Sequence, residues 1–361
     1  MGNQHRIFVS SCASGAEGAI IAFDLDAETG RLEQVNRYDD IEGPFYLALA
    51  PDRAHLYSTH APSGFEGGDG MVAAFAIDSE SGALRKLNEQ SAAGTTTCYV
   101  DVDPTGKALV FANYSSGSVG AFPIGADGSL GEISSFVQHE GGSVDPGRQE
   151  GPHAHCSVIS PDGRHMLACD LGTDQIFCYA LDAAAATLTP LAQPYVRTIG
   201  GGGPRHLTFH PRGFVYANNE MGNSVNVYRY DTDAGTLIEL QVIPTLPGDF
   251  EGDSYTADTK VGPNGRFVYT TNRRHDSIAI YSVGDDGRLA LVEMQPSLGT
   301  FAQNLAFTPD GGLLLCANMT DESEARNGEN LVVFRVDAAT GKLTPAGEPV
   351  RLANPSCIMI V

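Results

Sequence analysis

HCSVISPDGRHMLACDLGTDQIFCYAL, His155 to Leu181, is the stretch on which the fold turns. A short apolar run leads into Ser-Pro-Asp-Gly, a second run ends in Asp170, a polar loop follows, and a third run ends in an aromatic. Each run is rich in Val, Ile, Phe and Tyr and too short for a helix, so it reads as a strand. The Pro-Gly elements read as tight turns that send the next strand back antiparallel. The same plan returns in CYVDVDPTGKALVFANYSSGSVGAFPI from Cys98, RHLTFHPRGFVYANNEMGNSVNVYRY from Arg205, TADTKVGPNGRFVYTTNRRHDSIAIYSV from Thr256 and QNLAFTPDGGLLLCANMTDESEARNGENLVVFRV from Gln303. A sixth copy, FYLALAPDRAHLYSTH, begins at Phe45.

The turn prolines Pro51, Pro104, Pro161, Pro211, Pro263 and Pro309 are spaced by 53, 57, 50, 52 and 46 residues. After the third run comes a further turn and strand, as in DAETGRLEQV, DSESGALRKL, GDDGRLALV and DAATGKLTPA. Four antiparallel strands per unit, repeating at this period without helical spacing, are what a β-propeller produces. The ends supply one more unit. RIFVSS and IIAFDL open the chain in mid-repeat, and PSCIMIV closes it with a lone strand. The expected fold is all-β, a seven-bladed β-propeller of four-stranded blades, its ring closed by the C-terminal strand joining the N-terminal blade, with 1–361 a single domain.

Charge narrows the partners. With 22 basic against 44 acidic residues, a formal net charge of −22, the chain lacks the basic face that nucleic acid or an anionic membrane requires. No apolar stretch is long enough to span a bilayer, and MGNQHRIFVSSC is not a signal peptide. Seven cysteines without a CxxC pair read as small buried hydrophobes of a reducing compartment, so a cytoplasmic location is expected.

The repeat also locates a site. In a blade, the start of the inner strand and the end of the second strand lie at one face, so residues there ring one mouth of a central channel. Six residues before the turn prolines stand Phe45, Cys98, His155, Arg205, Ala257 and Gln303. The second strand ends in Asn113, Asp170, Asn219, Asn272 or Asn318, a recurring loop cap. The next residue varies: Tyr114, Leu171, Glu220, Arg273, Met319. Charges therefore fall on neighbouring blades, and His155, Arg205, Glu220 and Arg273 are the candidate catalytic set. The loop RQEGPH adds Arg148, Gln149 and His153, the last two residues before His155 on an extended strand. Asp170, His206, Arg274 and His275 complete the candidate substrate contacts.

Arginines, a carboxylate and histidines in one polar mouth suit a small anionic substrate and acid–base chemistry. The HxH pair could instead hold a metal, yet thiolate spacing, HExxH and EF-hand loops are all lacking, so no metal and no cofactor is expected. GGGP at Gly201–Pro204 lacks the surroundings of a nucleotide fingerprint, and no GxSxG elbow is present.

At these residues the chain resembles the seven-bladed propeller lactonase family, whose members include bacterial 6-phosphogluconolactonases and fungal carboxymuconate lactonising enzymes. The resemblance covers nearly the whole chain. Its most specific parts are RQEGPHAH with DLGTD, GGGPRHLTFHPRG with NNE, and GRFVYTTNRRHDSIAIY. It implies a lactone or sugar-acid substrate, 6-phosphogluconolactone first among them, and puts the family's proposed His, Arg, Glu and Arg on His155, Arg205, Glu220 and Arg273. Glu220 or His155 would be the base, with Arg205 and Arg273 on the anionic group or the oxyanion. FAQNLAF departs from many relatives, which carry an arginine before the Asn; Gln303 leaves one cation fewer. A lactonising cyclase acting on a muconate, and a binding propeller without turnover, are the alternatives.

Overall fold

A computed structural model describes residues 4–13, 15–62, 68–321 and 328–361. It forms seven sheets, and in all but the first the leading four strands follow one another in chain order. The fourth, for example, runs Ala154–Ile159, His165–Asp170, Gln175–Asp182 and Thr187–Arg197 in spatial order. The last strand of the chain, Pro355–Ile360, is the leading strand of the first sheet and pairs with Gln4–Ser11, as the lone C-terminal segment implies. The seventh sheet departs slightly from four strands. Its outer strand comes in two pieces, Leu343–Pro345 and Val350–Arg351, interrupted where Gly347 takes φ +72°.

The described residues fall into two compact units. One holds Met1–Arg37, His206–Arg229 and Ile238–Val361; the other holds Tyr38–Arg205 and Tyr230–Leu237. Within the first, the core is a series of apolar layers between successive sheets. Tyr216, Val225 and Val227 meet Val268, Ala279 and Tyr281; Tyr269, Ile278 and Ile280 meet Leu314, Cys316 and Phe334; Leu315 and Val333 meet Ile7, Ile21 and Phe23. Such burial contributes roughly 25 cal/mol per Å² of apolar surface and holds one sheet on the next.

Side chains of the second strand add a polar clasp. The Tyr216 hydroxyl donates to Gly287 O at 3.0 Å and that of Tyr269 to Gly341 O at 2.8 Å; in the other unit Tyr57 donates to Gly128 O at 3.0 Å. At Gly287 φ is +83° and a Cβ would collide with the Phe214 ring, so this outer turn needs glycine twice over.

The Pro-Gly turns are equally regular. Gly163 N donates to Ser160 O at 2.8 Å with φ +73°, and Gly106, Gly213, Gly265 and Gly311 repeat the arrangement at positive φ. In the second sheet the place is taken by Arg53, at φ +58°. An L-residue is disfavoured in that conformation, and the Arg53 side chain is exposed. Arg53→Gly should therefore stabilise the protein by about 0.5–1 kcal/mol; a denaturant midpoint that stays put or falls would refute this.

Candidate active site

In several sheets the pairing register sets apart the varied residue that precedes the turn. In the third sheet Thr97 pairs with Asn113 and Tyr99 with Ala112, so Cys98 is left out of the ladder. In the fourth, Ala154 pairs with Asp170 and Cys156 with Cys169, which leaves out His155. Gln303 is bypassed in the same way between Ala302 and Asn304, and Ser356 between Pro355 and Cys357. Each of these leading strands carries a β-bulge, which bends the strand and re-aims one side chain away from the sheet's alternation.

The second-strand Asn residues are structural, as expected. Asn113, Asn219 and Asn272 donate from Nδ2 to the hydroxyl five residues on, Ser118, Ser224 and Ser277, at 3.0, 2.9 and 3.1 Å.

In the unit holding Tyr38–Arg205, Tyr114 organises the candidate residues. His153 stacks on its ring at 4.8 Å and 19°, while His155 meets it edge-on at 5.1 Å and 67°. Arg148 Nη2 donates to the Tyr114 hydroxyl at 3.1 Å. His153 Nδ1 lies 3.2 Å from Tyr114 O, and its Nε2 3.3 Å from Glu150 Oε1. His155 itself is buried, with Nδ1 3.8 Å from Cys98 Sγ. Both histidines thus reach one ring, but the bulge at His155 and not simple alternation brings them there.

Two expected contacts are braces. Gln149, 1% exposed, donates to Leu171 O at 2.8 Å and accepts from Asp145 N at 3.1 Å. Asp170 is wholly buried: Oδ1 accepts from His153 N and Thr173 N, and Oδ2 lies 2.7 Å from His139 Nδ1. These bonds fix the loop that bears His153. The glycine run also finds its purpose here. Gly201 N and Gly203 N each donate to the Asp174 carboxylate at 2.7 Å, so the run wraps a buried anion just before Arg205, itself 1% exposed.

In the other unit, buried Glu220 and part-buried Arg273 form an ion pair, Oε2 to Nη2, at 2.6 Å. Arg273 is held from several sides. Its Nε and Nη2 reach Tyr255 O and Thr256 O at 3.4 Å, and its guanidinium lies 5.9 Å from the Tyr255 ring centre and 5.0 Å from that of Phe301. Arg274 is committed elsewhere, 2.9 Å from Asp321 and over the other reach of Tyr255 at 5.3 Å. His275 Nδ1 is 2.6 Å from Ser277 Oγ, its ring edge-on to Phe250; burial lowers its pKa, which favours the neutral imidazole. His206 is buried against Asp258, Nδ1 to Oδ1 at 2.9 Å.

Sequence reasoning passed over Tyr114, Tyr255, Phe301, Asp174 and Asp258. Only Tyr114 carried a signal, since it occupies the same varied place as Glu220 and Arg273. Among the described residues no three His, Cys, Asp or Glu side chains group as a metal would need. None of the helices among them is long and apolar enough to cross a membrane. A buried carboxylate fixed by an arginine between two rings can take a proton from water and give it back, while the arginine steadies negative charge.

Comparison with known proteins places the chain as a whole. A family model described as lactonase, 7-bladed beta-propeller, matches residues 6–360. A 6-phosphogluconolactonase of Bacillus subtilis is 35% identical over 353 residues, covering 97% of both chains. A second protein of that name, from Formosa agariphila, is 30% identical across 93% of this chain and 94% of its own. Among solved structures, a putative 6-phosphogluconolactonase from Bacteroides fragilis superposes with a TM-score of 0.89 at 34% identity, covering 99% of this chain and 98% of the other. The periplasmic gluconolactonase of Pseudomonas aeruginosa gives 0.91 at 29% identity, covering 99% of each.

Proposed function

This chain belongs to the seven-bladed β-propeller lactonase family, and from that premise we propose that it hydrolyses the ring ester of a sugar-acid lactone, 6-phosphogluconolactone being the substrate named for its relatives. The observation that carries the chemistry is the pairing of buried Glu220 with Arg273. Glu220 takes a proton from water as the oxygen attacks the lactone carbonyl. The oxyanion that forms is stabilised by a guanidinium. As the intermediate collapses, the ring C–O bond breaks and Glu220 returns the proton to the leaving oxygen, giving the open-chain hydroxy acid.

Arg205 and His155 are the other two proposed catalytic residues, a reading that rests on the repeat positions and on the family resemblance. Arg148, His153, Arg274 and His275 remain proposed substrate contacts; Gln149, Asp170 and His206 act by holding neighbours in place. One family model running over 6–360 supports reading 1–361 as a single domain. We read the location as cytoplasmic because seven cysteines, all free and six of them buried, suit a reducing compartment.

The test is a lactone panel followed by acid release. The phosphorylated aldonolactone should exceed its unphosphorylated counterpart in kcat/KM by about tenfold or more, the value of one charge-assisted contact. Equal values would remove the phosphate from the reading, and no turnover of any lactone would remove the hydrolase.

A further inference from the structure

The outer strand of the third sheet, Ser135–Gln138, is four residues long, whereas those of the second, fourth, fifth and sixth sheets have 8, 11, 9 and 8. The short strand leaves one face of the fourth sheet's outer strands without cover. A cavity of about 470 Å³ opens there, within the range of small-molecule sites.

Its wall is built across one strand pair. Phe177 stands opposite Tyr195 and Gln175 opposite Arg197. The two rings meet edge to face at 5.9 Å, and the Arg197 guanidinium lies 5.6 Å over Tyr195. Thr173 lines the same space, 1% exposed, with no hydrogen-bond partner for its hydroxyl. Glu140 is there too.

Behind the rings the structural repeat is broken. Asn113, Asn272 and Asn318 donate to the main-chain oxygens of Ala92, Thr245 and Ser297, each the first residue past the preceding outer strand. In the fourth sheet those two places hold Asp170 and His139, a buried ionisable pair 2.7 Å apart. His139 stacks on Phe177 at 3.8 Å and 19°, with Nε2 3.0 Å from the Tyr179 hydroxyl. An imidazole bound at both nitrogens is a fixed platform, and it makes Phe177 a rigid wall. Asp170 also braces His153 N, but His139, Phe177 and Tyr179 have no part in the proposed lactonase chemistry.

We propose that this cavity is a second binding site, for a planar aromatic monoanion. The flat ring packs against Phe177 and Tyr195, and the carboxylate meets Arg197 and the unpaired Thr173 hydroxyl. A single cation beside Glu140 limits the ligand to one negative charge, which separates this site from one for a phosphorylated sugar.

The experiment is isothermal titration calorimetry of the full chain with 2-naphthoate. Saturable binding is expected with Kd below about 1 mM. Arg197→Gln should raise Kd by about tenfold or more, as should 2-naphthamide in place of the anion and cyclohexanecarboxylate in place of the flat ring. Arg197 and Tyr195 are exposed, so Arg197→Gln and Tyr195→Ala leave the core intact. The proposal is overturned by an absence of saturable binding, or by a Kd that neither substitution changes.

Discussion

Glu220→Gln should lower kcat on the preferred lactone by about 10² to 10⁴, the usual worth of a positioned general base, while KM stays within a few-fold. The substitution keeps the shape and one oxygen acceptor but removes the site that accepts water's proton. Arg273 loses its counterion at 2.6 Å, yet its contacts to Tyr255 O, Thr256 O and two aromatic faces remain to hold the guanidinium. Folding should survive, which circular dichroism and thermal unfolding would establish. Arg273→Lys is the companion experiment. A lysine keeps the charge but cannot offer the planar fork that spans a carboxylate and two carbonyls, so kcat should fall with Glu220 no longer held in place. Full activity of Glu220→Gln on every lactone the protein turns over would remove Glu220 from the chemistry.

What was legible in the sequence is local and periodic. The turn at Ser160–Gly163 repeats because so tight a reversal suits a Pro followed by a positive-φ residue, a place that five glycines and Arg53 occupy. The caps at Asn113, Asn219 and Asn272 repeat because each bonds a serine five residues on. Comparing such positions picked out Glu220 and Arg273, which the fold then pairs. Partners distant in the chain were not legible. Asp170 and Gln149 looked like ligand contacts because a sequence displays acceptors and donors without showing what satisfies them. Their partners, His139 and Leu171 O, follow only from register. The bulges at Cys98, His155 and Gln303 depend on which residue of the second strand faces which, a long-range fact invisible to periodicity.

Asp258 is the plainest example of a residue whose weight only packing reveals, and Asp258→Ala should cost about 3–5 kcal/mol of stability, the range for removing one partner of a buried ion pair. Its carboxylate is wholly buried and ties three leading strands of one unit together. It bonds His206 of the fifth sheet at 2.9 Å and Lys260 of its own strand at 3.2 Å. From the seventh sheet it accepts from Asn304 Nδ2 at 2.8 Å and Leu305 N at 3.0 Å. Asn304 carries the belt onward, accepting Ile358 N of the first sheet at 2.9 Å. Burial pushes the Asp258 pKa up, but Lys260, His206 and the Leu305 N–H outweigh it and hold the carboxyl well below the ordinary carboxylate range. A depressed folded pKa means the unfolded chain takes up this proton first. The stabilisation is therefore complete above the unfolded value and is lost as pH falls through and below it toward the folded one, by about 1.4 kcal/mol per pH unit. Asp258→Asn keeps the outline and deletes this titration. Its deficit against the parent should be largest near neutrality and shrink progressively below about pH 4 in denaturant titrations. A deficit that is constant from neutrality down to about pH 3 would show that the carboxylate's charge contributes nothing, and a loss under about 1 kcal/mol for Asp258→Ala would show that the belt does not depend on it.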